Sequence, residues 1–117
     1  MRKKQQIVFH DKEMDIPVTR GFVARQYDEL IFIKYDTPYC QMNFTDKMIA
    51  VEISLQEMLG NLPKPIFFAC NRSFIINLYR VREYKKDTSL IVLKDGNTIS
   101  LSRHRAKDFI KIRKNLP

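Results

Sequence analysis

Phe67-Phe68-Ala69-Cys70-Asn71-Arg72-Ser73-Phe74-Ile75-Ile76-Asn77-Leu78 is the stretch on which the reading of this 117-residue chain turns. Two apolar runs flank a polar centre at Asn71-Arg72-Ser73, and the charge of the chain changes here. Residues 1–68 hold nine Lys/Arg against nine Asp/Glu, whereas residues 69–117 hold twelve against four. The whole formal net charge of +8 therefore lies beyond Phe68. Localised positive charge suits a polyanion, because neutralised phosphates release condensed counterions. The chain reads as a nucleic-acid binder. Lysines that merely solvate a small basic protein are the bland alternative, and the asymmetry speaks against them.

Length and composition narrow the class. The 44% hydrophobic and 29% charged content is that of an ordinary globular protein, and 117 residues can bury a real core as a single domain spanning 1–117. No run reaches the roughly 18 apolar residues of a membrane span. The basic start Met1-Arg2-Lys3-Lys4 lacks the apolar stretch of a secretory signal. Cys40 and Cys70 form neither a disulfide framework nor a zinc spacing, which fits a reducing cytoplasm. His10 and His104 are too few and too scattered for a metal or a catalytic dyad. No Gly-rich phosphate loop, activated nucleophile or buried carboxylate pair is present, so neither enzyme chemistry nor a cofactor is expected.

Most of the chain reads as short strands: 7–9 and 14–18 around the turn Asp11-Lys12-Glu13, then 29–35, 39–44 and 48–53. Ser54 is a helix N-cap, and Glu57 completes a capping box. Leu55, Met58, Leu59 and Leu62 give that short helix its apolar face. Beyond the central motif, strands are expected around 81–84, 89–93 and 98–101. Lys94-Asp95-Gly96-Asn97 between the last two is expected to form a type I′ turn. Ser102 is expected to cap a final helix running to about Asn115. Its apolar side would be Ala106, Phe109, Ile110 and the stem of Arg113. Arg103, Lys107, Lys111 and Lys114 fall on another side as a basic stripe. The fold class is mainly β: small antiparallel sheets, one short central helix and a C-terminal helix.

The order of elements and the motif resemble the LytTR DNA-binding domain of bacterial transcription regulators. The family carries a Phe, a few residues, then Arg-Ser-aromatic-aliphatic-aliphatic-Asn; here these are Phe68 and Arg72-Ser73-Phe74-Ile75-Ile76-Asn77. It also has a hairpin turn followed by a short strand ending in Ser-Arg, which here runs from Asp95-Gly96-Asn97 to Ser102-Arg103. The resemblance covers roughly residues 5–114. It implies an elongated arrangement of small sheets that puts loops, rather than a recognition helix, into successive major grooves of double-stranded DNA. It also implies pairs of direct repeats, hence two copies per site, and an upstream signalling protein. Members are commonly attached to a receiver domain, and 117 residues leave no room for one.

By carry-over three places would meet DNA: the loop at Tyr39 and Gln41, the corner at Asn71 and Arg72, and the segment Ser102-Arg103-His104-Arg105, with Lys107 behind it. Arg103 could grip guanine O6 and N7 with two parallel hydrogen bonds; its bland reading is a solvated arginine. Arg72, read as lying between a strand and a short helical turn capped by Ser73, would hold phosphate; otherwise it pairs with Glu83 or Asp87. Asn71 either touches DNA or stabilises its own turn, and Asn77 reads as a turn cap. Tyr39 either reaches the groove or packs on Phe44. Cys70 beside Arg72 reads as a reduced core thiol, with an activated, redox-sensitive thiol as the alternative. Two other functions remain open: a basic interaction module docking an acidic protein partner, and an RNA-binding β-domain. The lack of exposed aromatics on an alternating strand argues against the RNA reading.

Overall fold

The computed structural model describes residues 6–117. Among these residues eleven strands form three antiparallel sheets, in an envelope of 49 × 28 × 23 Å. The N-terminal sheet is ordered β1-β2-β3, with β1 Val8–Phe9, β2 Glu13–Val18 and β3 Gly21–Gln26. The central sheet is ordered β6-β5-β4-β8-β7, from β4 Leu30–Asp36, β5 Tyr39–Phe44, β6 Met48–Glu52, β7 Phe67–Ala69 and β8 Phe74–Asn77. The C-terminal sheet is ordered β11-β10-β9, from β9 Val81–Lys85, β10 Leu90–Leu93 and β11 Thr98–Ser100. Helix α1 (Leu55–Asn61) lies between β6 and β7, and α2 (Ala106–Lys114) closes the chain.

The central sheet separates two apolar cores, and side-chain alternation along its strands allots residues to each. Met14 and Ile16 of the N-terminal sheet, Met58 of α1 and Leu62 just beyond its end join Ile33, Cys40, Met42 and Ile75 in the first core. Ile76 and Phe68 face the other way, against Ile91, Leu93, Ile99 and Phe109. One extra residue bulges β4, because Leu30 pairs with Phe44 while Phe32 already pairs with Asn43. Leu30 and Ile33 thus both reach the first core, and Ile31 and Phe32 both serve the second. Phe109 anchors α2 by edge-on ring contacts with Phe68 and Tyr84, at centroid distances of 5.8 and 5.3 Å.

Several expectations are corrected. The strand β3 was not foreseen, and it brings Arg25 into the protein at 6% exposure. Arg25 donates to Glu29 and Asp46 at 2.7 Å each and lies 4.2 Å over the Phe44 ring. The hairpin at Lys94–Asn97 is not type I′, which needs positive φ at two consecutive residues. Only Gly96 is left-handed there (φ +93°), and its N–H closes a turn on the Leu93 carbonyl. That pattern is a three-residue loop with a glycine bulge. Ser54 does cap α1, its Oγ accepting from the Glu57 N–H at 3.1 Å. Ser102 makes no side-chain cap; a 3-10 turn, Arg103–Arg105, intervenes before α2. Ile110 is 47% exposed, and Ile112 and Leu116 pack in its place. The spacing 109, 112, 113, 116 follows the helical period as well as the expected set did.

Candidate nucleic-acid interface

Three residues, Ser100-Leu101-Ser102, hold the basic end of the molecule together. Ser100 ends β11, and its carbonyl accepts from the side-chain amide of Asn71 at 2.7 Å. The Ser102 N–H donates to the Cys70 carbonyl at 2.9 Å. Two bonds therefore clamp the β7–β8 corner onto the segment that launches Arg103. The corner itself is an Asx turn, with the Asn71 Oδ1 accepting from the Ser73 N–H at 2.8 Å. Ser73 leads directly into β8, so the short helical turn expected there is absent. The Ser73 carbonyl accepts from the Tyr35 N–H at 2.7 Å, which ties the corner to the β4–β5 hairpin.

These bonds bring all three sequence-predicted places to linked backbone segments. Arg72 is exposed at the apex of the corner, and no ion pair joins it to Glu83 or Asp87 among the described residues. Arg103 and His104 are exposed in the 3-10 turn, which the Arg105 N–H opens by donating to the Ser102 carbonyl at 2.9 Å. Lys107, Lys111 and Lys114 are exposed along α2. In the hairpin, Asp36 pairs with Tyr39 across a two-residue turn containing a cis Thr37–Pro38 bond. Tyr39 is 46% exposed and Gln41 half-buried, both on the face of β5 opposite Cys40, Met42 and Phe44. Tyr39 therefore cannot pack on Phe44 as one reading had it.

Arg105 and Asn71 behave differently from the rest. The Arg105 guanidinium carbon sits 4.8 Å over the Phe68 ring, and its Nε is buried without a hydrogen-bond partner. This side chain is committed to packing α2 on the second core. Asn71 spends its Oδ1 and one amide proton within the protein. Asn77 is the turn cap expected, accepting from the Tyr79 N–H at 3.0 Å while donating to the Leu30 carbonyl at 2.9 Å. Sequence reasoning missed Lys34, an exposed cation on β4 that pairs with Gln41 on one side and Phe74 on the other. Its signal was a single lysine interrupting an otherwise apolar strand.

Cys70 is fully buried, and burial pushes its thiol up to about 12 against a smaller downward pull from Arg105. The cation that acts on it is thus Arg105 rather than Arg72, and desolvation wins. The activated-thiol alternative fails on this point. Among the described residues no group of three or more His, Cys, Asp or Glu could hold a metal ion, and no helix is long and apolar enough to cross a membrane.

Comparison with known proteins gives the family and the fold. The LytTr DNA-binding domain family matches residues 20–114. The transcriptional regulatory protein YpdB of Escherichia coli strain K12 is 27% identical over 99 residues, as is that of Shigella flexneri. The match covers 80% of this chain but only 36% of the relatives, so the chain spans about a third of their length. A LytTr DNA-binding domain of a response regulator from Bacillus cereus superposes with a TM-score of 0.75 at 24% identity, covering 88% of this chain and 97% of that one. That likeness bears on the fold. The chain belongs to the LytTr DNA-binding domain family.

Proposed function

We propose that this chain is one DNA-reading domain of a cytoplasmic transcription regulator, binding double-stranded DNA at specific sequences through its loops. The observation that carries the reading is the clamp at Ser100–Ser102. It fixes two exposed arginines, Arg72 and Arg103, on one rigid piece of backbone, with neither neutralised by a carboxylate ion pair among the described residues. Rigid donors lose little freedom on binding, which favours sequence reading over loose attraction. Arg103 reads a base edge, preferably guanine. Arg72, His104 and Lys107 hold phosphates, and Lys34 adds a cation next to the hairpin. Tyr39 and Gln41 reach the neighbouring groove.

Two copies would occupy a pair of direct repeats, and an upstream signalling protein would control the regulator. Footprinting on a bound duplex separates this from a basic module that docks an acidic protein. A LytTr reader protects a defined sequence with two spaced half-sites. A docking module protects none.

A further inference from the structure

We infer that the turn between β9 and β10 is a further DNA-phosphate site, carried by Lys85 and Lys86 and set in place by Ser89. The inference rests on the DNA-reading role proposed above and adds a contact to the same interface. Lys85 ends β9 opposite Leu90, so Lys86-Asp87-Thr88-Ser89 forms the connection, and both lysines are exposed. Among the described residues Ser89 is the one non-glycine with a left-handed backbone, φ +54°. A β-carbon makes that conformation costly, and it persists only where the surroundings enforce it.

The surroundings here are Leu101. The Ser89 carbonyl accepts from the Leu101 N–H at 2.9 Å, and the Ser89 Oγ donates to the Leu101 carbonyl at 2.7 Å. Leu101 is the middle residue of the clamp that holds Asn71 on one side and Cys70 on the other. The three-residue segment therefore fixes three basic corners at once: Arg72, Arg103 and the Lys85–Lys86 turn. Two carboxylates lie near these lysines in sequence. Asp87 is occupied in part by the Thr88 N–H at 3.0 Å, and Glu83 is on β9 beside the exposed Arg82. Ser89 is bonded to Leu101, two residues before Arg103, so the lysines of this short turn suit phosphates flanking the read base, which set register without reading sequence.

The test is the salt dependence of binding for the wild-type chain, Lys85→Gln/Lys86→Gln and Ser89→Gly. Each is measured on a duplex recovered by selection and on a random duplex of equal length. Each phosphate contact contributes about 0.9 to the slope of log affinity against log salt. The double variant should lose about 1–2 units of slope and weaken equally on both duplexes. Ser89→Gly keeps the left-handed backbone but loses the Oγ bond, and should flatten the slope in part with the far-ultraviolet circular dichroism unchanged. A wild-type slope in the double variant would overturn the phosphate site, and a wild-type slope in Ser89→Gly would overturn its positioning role. A wild-type chain that binds both duplexes equally would instead tell against sequence reading, leaving the turn to be judged on slope alone.

Discussion

The side-chain amide of Asn71 donates a 2.7 Å hydrogen bond to the carbonyl of Ser100, joining two corners 29 residues apart in the chain. The same side chain accepts from the Ser73 N–H at 2.8 Å. With both groups engaged inside the protein, Asn71 holds the Arg72 corner against the segment that leads to Arg103, and on the proposed reading its part in DNA binding is that positioning rather than base contact. Asn71→Ala deletes two intramolecular hydrogen bonds, each worth about 0.5–1.5 kcal/mol. Urea unfolding should show a loss of about 1–3 kcal/mol, together with weaker binding to the selected site. A variant of wild-type stability would show that the corner is held by other means.

Arg103 and Arg105 are two residues apart and should separate cleanly. Arg103 is exposed, whereas Arg105 lies over Phe68 with its Nε buried. Arg103→Ala should cost about 1–3 kcal/mol of binding on the selected site and relax the preference at one base pair. Its thermal stability should stay within about 0.5 kcal/mol of wild type. Arg105→Ala should lower stability by about 1 kcal/mol through lost packing on Phe68, leaving base preference intact. Binding selections and thermal melts on both variants check the division, and an Arg103→Ala chain with unchanged base preference would remove Arg103 from the readers.

The two thiols make stability fall on the alkaline side. Burial raises Cys40 from the ordinary 9.0 to about 11 and Cys70 to about 12. A raised folded value contributes stability that is complete below pH 9.0 and is lost as pH climbs towards the folded values. Between pH 8 and pH 10 each thiol should therefore cost about 1.4 kcal/mol. Cys70→Ala, whatever its stability at neutral pH, should lose less than wild type over that interval. Denaturant melts at the two pH values measure this, and identical losses in both chains would contradict it.

On the acidic side the group to watch is Asp46. Its hydrogen bond from Arg25 holds the carboxyl below the ordinary 3.8. Stability from this pair is present above that ordinary value and disappears as pH falls through the depressed one. Asp46→Asn should show a shallower acid-side loss than wild type in thermal melts from pH 5 downward. Arg25→Leu should cost about 1–3 kcal/mol at neutral pH, because it removes the guanidinium from Phe44 and both carboxylates lose their partner.

Much of the fold was legible because it follows local rules. Alternation in Tyr39–Phe44, the Ser54 cap and the apolar runs around Asn71-Arg72-Ser73 each announce an element without tertiary help. The misses share a different cause. The strand β3 has an arginine on its inward face, and beside the local Glu29 it takes the distant Asp46 and Phe44 to make that arrangement acceptable. Ile110 and Ile112 have equal claims to the core by spacing, and the choice depends on how Phe109 seats α2 against Phe68 and Tyr84. Arg105 and Arg103 look alike in sequence, and what separates them is the position of Phe68, 37 and 35 residues earlier. Of the proposed interface, the exposed arginines Arg72 and Arg103 could be named from the sequence. Its organisation could not, because the side-chain and backbone bonds of Ser100–Ser102 to Asn71, Cys70 and Ser89 join residues distant in sequence and leave no local pattern.

The most direct measurement is selection of bound sequences by the wild-type chain from a random duplex library at moderate salt. The account predicts recovery of a defined motif, repeated in the same orientation at a fixed spacing. One base position in each repeat should lose its preference in Arg103→Ala. Recovery of no motif, with binding that weakens steeply in salt on every duplex, would contradict sequence reading and leave only the attraction of a basic surface for phosphate.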